Sequence, residues 1–144
     1  DATVYITYKK LSGLVVHHAE SVLSKDVIEA EWLGVINNSA ALIELSVDVL
    51  VLDVTLNKHG KISLSGSADE AKIFNNRSGD ISAKDLEVTS AKVVIKSSGS
   101  VSVHVEDELH AELRGSGNLF LTGSPRIKTM ATSGTGTLKF DDND

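Results

Sequence analysis

Apolar and polar residues alternate with period two along most of this chain, in short bursts rather than long runs. The densest stretch, "LIELSVDVLVLDVTL" (42–56), is interrupted by Glu44, Asp48 and Asp53. It alternates like a strand and carries too much charge to span a bilayer. Further along, apolar pairs separated by one residue recur: Ile62 with Leu64, Ile81 with Ala83, Val101 with Val103, Leu119 with Leu121, and Leu138 with Phe140. Two residues before each pair stands a glycine: Gly60, Gly79, Gly99, Gly117 and Gly136, at steps of 19, 20, 18 and 19 residues. Ile43 and Leu45 extend this track backwards, with Ala41 in the glycine's place.

A second track runs through Ala71, Ala91, Ala111 and Ala131 at steps of 20, followed two residues later by Ile73, Val93, Leu113 and Ser133. Leu52, Val54, Leu33 and Val35 continue it backwards, and "LVVHHAESV" (14–22) reads as a degenerate further copy. Alternation by two puts each apolar pair on one face and the Ser, Lys, Thr or Glu between them on the other. No window sustains helical spacing, and β-branched residues crowd the apolar positions. A third strand in each copy has weaker signals, with "LEV" (86–88) and "RIK" (126–128) as candidates.

A unit this short cannot bury its own apolar face, so the copies must stack. Equivalent positions then lie above one another in parallel strands about 4.8 Å apart. The pattern predicts an all-β solenoid, a parallel β-helix of about 19–20 residues per coil. Its internal ladder runs Ile43, Ile62, Ile81, Val101, Leu119, Leu138. A corner repeated on every level predicts positive φ at the recurring glycines, where any other residue would be strained. Flanking Ser and Asn ("RSGD", "SSGS", "GSGN", "SGTG") are turn formers.

Length and composition fit one domain over 1–144, with residues 1–12 as N-terminal cap and opening strand and the acidic tail 141–144 closing the other end. Net charge is −6 with both signs interspersed. That argues against nucleic acid or anionic lipid as the main partner, since each calls for a basic patch. There is no Cys, hence no disulfide frame and no thiolate metal site. The opening "DATVYITYKK" lacks an initiator Met and a basic-then-apolar leader, which reads as a processed or truncated chain in which any export signal would already be gone.

The segment "LRGSGNLFLTGSPRIKTMATSGTG" (113–136) resembles the C-terminal signature of the GIN-type auto-transporter adhesin head domain family, common in Bacteroidetes. Gly115, Gly117, Leu119, Leu121, Gly123 and Pro125 carry the likeness, followed by Ser133-Gly134-Thr135-Gly136. The opening "VYITYKKLSGLVV" resembles that family's first strand, while "FNNRSGD" and "IKSSGSV" keep one glycine of a usual two and "NNSAALI" has none. The resemblance implies a right-handed parallel β-helix exported to the periplasm, outer membrane or cell surface. It brings no catalytic, cofactor or metal residue with it.

Candidate chemistry is sparse. His17 and His18 are adjacent and would point to opposite faces of a strand, His104 falls between Val103 and Val105, and His59 and His110 are isolated. The acidic groups "VEDEL" (105–109) and "DDND" (141–144) lack the spacing of a Ca²⁺ loop. "GSGN", "LSGS" and "SSGS" fit neither a nucleophile elbow nor a phosphate loop. Of Arg77, Arg114 and Arg126, none has an acidic partner recurring beside it in the repeat. Trp32, just before Leu33 on the second track, is expected outward or in a cap, in a packing or oligomer contact. The sequence therefore reads as a non-enzymatic envelope module with no catalytic, cofactor or metal residues, binding a protein or glycan at the cell surface. Homo-oligomers are compatible with that reading. A self-assembling scaffold and a carbohydrate-active β-helix enzyme are the alternatives.

Overall fold

A computed structural model describes residues 3–6, 13–16, 21–24 and 26–140 of the chain. His17, His18 and the acidic tail 141–144 lie outside the described residues, as does most of the 1–12 segment. The described elements are all strands: β1 (Thr3–Ile6), β2 (Gly13–Val16), β3 (Ser21–Ser24), β4 (Ile28–Asn37), β5 (Leu42–Leu56), β6 (Lys61–Asn75), β7 (Asp80–Ile95), β8 (Val101–Leu113), β9 (Leu119–Thr122), β10 (Arg126–Thr132) and β11 (Leu138–Phe140). Every pairing is parallel, running β1-β3-β5-β6-β7-β8-β9-β11 along one path, with β2-β4-β5 and β8-β10 joined to it. No helix among them is long and apolar enough to cross a membrane.

This is the stacked-coil solenoid that the period demands. The first track pairs residue for residue: Val22 with Ile43, Ile43 with Ile62, Ile62 with Ile81, Ile81 with Val101, Val101 with Leu119, Leu119 with Leu138. Parallel in-register pairing places each inward side chain on its counterpart one turn away, so every turn covers its neighbour's apolar surface. Ile43, Val54, Ile73, Val93, Val101, Leu113 and Leu119 are all wholly shielded from solvent.

Each turn is one bent strand of 13 to 16 residues in β5 to β8, not two short pairs. The missing third stretch is Ile28–Ala30, Val47–Val49, Gly66–Ala68 and Leu86–Val88, stacked in that order. Of the two candidates for it, 86–88 in β7 belongs to this stretch, whereas 126–128 in β10 stacks above Glu108 and Leu109 on the second track. The second track slips where β7 carries extra residues. Ala71 does pair with Ala91, but Ala91 then pairs with Leu109, Val93 with Ala111 and Ile95 with Leu113. Ala111 and Leu113 still face inward because a slip of two keeps parity. Ala131 does not, since it pairs with the outward Glu112.

The corner glycines owe their identity to crowding and not to positive φ. The described glycines with left-handed backbone are Gly66 (φ 111°) and Gly123 (φ 93°), neither of them in the recurring column. A Cβ on Gly79 would run into the carbonyl oxygen of Gly60 directly beneath it, and one on Gly117 into that of Gly99. One turn's backbone lies against the next at the corner, leaving no room for even a methyl group.

Two buried asparagines brace that corner. Asn37 Nδ2 donates to the Ala41 carbonyl at 3.0 Å, while its Oδ1 accepts from the Ser39 amide (3.0 Å) and hydroxyl (2.6 Å). Asn75 Nδ2 likewise donates to the carbonyls of Gly79 (2.7 Å) and Ser100 (3.1 Å). Both side chains are fully buried, and they alternate with Leu56 and Ile95 in one inward column. Just outside it, Asn57 donates to Asn38 (2.7 Å) and Asn76 to Asn57 (2.8 Å), a ladder of amides climbing the turns.

Candidate functional site

With inward positions filled by aliphatic side chains and the bracing asparagines, recognition falls to the outward residues, which stack in columns just as the core does. Serine and threonine hydroxyls link neighbouring turns: Ser46 to Ser65 at 3.0 Å, Ser100 to Asp80 at 2.8 Å, and Thr137 to Asn118 at 3.3 Å. The described histidines take part in the same way. His59 Nδ1 bonds the Ser78 hydroxyl, His104 Nδ1 that of Thr122 (2.9 Å), and His110 Nδ1 that of Thr129 (3.0 Å). Each is one turn from its hydroxyl, and among the described residues no three metal-ligating side chains cluster.

The outward face from β4 to β10 carries aromatic, basic and acidic side chains. Trp32 is 46 % exposed and lies across Gly34, where a Cβ would stand 2.6 Å from its Cη2 and 2.9 Å from its Cζ2. Its indole N–H donates to Asp53 at 2.6 Å, pinning the ring. Trp32 is thus outward, on the body of the face. Above Gly34 and Asp53 the same column continues through Lys72, Lys92, His110 and Thr129.

Beside that column runs another of Ile36, Thr55, Phe74, Val94, Glu112 and Ala131. Val94 faces outward yet is only 3 % exposed, the floor of a recess of about 450 Å³ walled by Lys92, His110, Glu112 and Thr129. A second recess of about 220 Å³, beside Glu70, Ser90 and Glu108, shares Lys92 and His110 with it. The two form one strip up the face.

Arginines close the acidic edges of this strip. Arg114 pairs with Glu112 at 3.1 Å, and Arg126 with Asp107 (3.2 Å) and Glu108 (3.3 Å) from the turn below. Two of the three arginines therefore have acidic partners, although the pairs do not recur from turn to turn among the described residues. The signal was the offset of 18 to 19 residues between Arg126 and the "VEDEL" group, which a search along the strand alone does not reach. Among the described residues no carboxylate stands within ion-pair distance of Lys92.

No curated protein matches the chain. Among solved structures, a "putative adhesin" from Bacteroides fragilis superposes with a TM-score of 0.85 at 22 % identity, covering 91 % of this chain and 61 % of that one. A "putative adhesin" from Parabacteroides distasonis gives 0.82 at 24 % identity, covering 98 % and 61 %. A "putative lipid binding protein" from the same species gives 0.72 at 23 % identity, covering 97 % and 56 %. The chain thus spans about three fifths of the length of these relatives, and the likeness is one of fold. The family model for "putative auto-transporter adhesin, head GIN domain" matches residues 1–125. Its span takes in the opening strand and every long coil, and the chain belongs to that family.

Proposed function

We propose that this domain is an exported, non-enzymatic adhesive module of the cell envelope that binds a glycan or protein through its outer faces. The observation that carries the reading is membership of the adhesin head family in a chain whose rigid interior leaves only regular outer columns for recognition. Solenoids use such surfaces for extended contacts. Beads coated with the purified chain, probed against glycans and extracellular matrix proteins, test it. Saturable retention on a defined ligand is the expected result. Retention no better than that of albumin-coated beads on every surface would end the reading.

End-to-end assembly is a second reading with its own observation. Ile127 and Met130 continue inward columns above Leu109 and Ala111, yet are 41 % and 38 % exposed at the C-terminal end of the stack. Apolar residues on the last described turn suit contact with a further strand, of the same polypeptide or of a second copy. Sedimentation velocity separates a discrete particle from a growing polymer. For lipid, the interior formed by the described residues is packed with shielded Val, Leu and Ile, which leaves no berth for an acyl chain among them. For a lyase or hydrolase, the paired carboxylates of the strip are already engaged by arginine, and a cleavage assay on polysaccharides is the check.

A further inference from the structure

We infer that the recess floored by Val94 and Ala131 binds the carboxylate of an acidic sugar unit, such as a hexuronate within an oligosaccharide. The inference rests on the adhesive reading and gives that reading a ligand class. Lys92 supplies the counter-charge, and His110 supplies a directional partner beside it. Both line the larger recess and the smaller one.

Three features make this a built site and not a chance hollow. The first is charge. Glu112 and Glu108 are paired with Arg114 and Arg126, and among the described residues no carboxylate stands within ion-pair distance of Lys92, although Glu70 also lines the smaller recess. The second is the orientation of the imidazole. In β10 the pairing with β8 shifts between Ile127 and Thr129, so Lys128 is the extra residue of a bulge. That shift places Thr129 opposite His110, and its hydroxyl holds Nδ1 at 3.0 Å. With Nδ1 taken, Nε2 is the ring nitrogen left to meet a ligand. Bulges re-aim side chains in this way beside binding sites. The third is the mixed surface: a small apolar floor for the C–H face of a sugar ring, with Thr129 and Ser90 hydroxyls near enough to meet its own.

The size agrees, since about 450 Å³ lies within the usual range of small-ligand sites. Lys92 stands between Lys72 one turn below and His110 one turn above, a basic column that suits a carboxylate. Phosphate recognition favours the guanidinium fork, and both arginines here are already paired. The smaller recess continues the strip downward, so a second sugar unit has a place beside Ser90 and Glu108.

The test is an amide-resolved NMR titration of the full chain with a hexuronate tetrasaccharide, its carboxyl-reduced neutral counterpart, and phosphatidylglycerol vesicles. The acidic sugar alone is expected to shift the amides of Lys92, His110, Thr129 and Ala131. Lys92→Ala should weaken it about tenfold, the worth of one charge-assisted hydrogen bond, while Lys61→Ala on another face leaves it unchanged. Equal responses to the acidic and neutral sugars, shifts mapping elsewhere, no response to the acidic sugar, or capture of the vesicles through these residues would each overturn the assignment. The bead assay distinguishes the two levels. Retention equal in wild type and Lys92→Ala removes the recess but keeps the adhesive reading, whereas no retention of wild type removes both.

Discussion

Val101 and Ser102 are neighbours in β8 with opposite fates. Val101 is wholly buried between Ile81 and Leu119, while Ser102 sits on the outer side of the same strand. Val101→Asp buries a carboxylate with no partner and should cost several kcal/mol, about enough to unfold a small domain. Ser102→Asp should leave the thermal midpoint within a few degrees of wild type, and equal losses in the two variants would contradict the assigned faces. Gly79 carries a different constraint. Gly79→Ala drives a methyl group into the Gly60 carbonyl and should cost about 1–3 kcal/mol. At Gly13 the nearest atom to an added Cβ is 4.0 Å away, so Gly13→Ala should be close to neutral in the same denaturant titration. Which residues face inward was legible from alternation alone, because strand parity survives slips of two. Why glycine recurs was not, because the colliding atom belongs to a residue 19 positions earlier.

Asn75 belongs to the scale of the element, since it ties the end of β6 to the turn that follows and to the turn above. Its column neighbours are Leu56 and Ile95, so Asn75→Leu matches the column in size and polarity. It also strips the Gly79 carbonyl of its Asn75 donor, while the Ser100 carbonyl loses one donor and keeps the Ile81 amide. The expected cost is about 1–3 kcal/mol by chemical denaturation, the usual penalty for an orphaned buried acceptor. A stabilised variant would mean that the amide braces nothing. The first strand of each copy was readable because its glycine and its apolar pair keep phase from Ile43 to Leu138. The second was readable only as far as Ala91. Bulges in β7 and then in β8 change the offset from 20 to 17 and then 18 residues, and spacing cannot say where a coil takes up its extra residues. The third went mostly unseen because Gly66 interrupts its apolar column between Val47 and Leu86.

At the scale of the molecule, the same stacking that closes the core builds the candidate site. Lys92, His110 and Thr129 lie 18 or 19 residues apart in sequence and meet only because consecutive turns superpose. No motif search finds such a group, and the three residues look isolated until the register is known. Trp32 and Asp53 meet for the same reason. The account therefore stands or falls on register. Ser63, Ser82 and Ser102 form one outward column across β6, β7 and β8, and the chain has no native cysteine. Nitroxide labels on cysteines placed at all three positions should sit about 4.8 Å apart at the backbone and give a strongly broadened, spin-coupled spectrum. A spectrum equal to the sum of the three single-label spectra would contradict the stacked parallel coil.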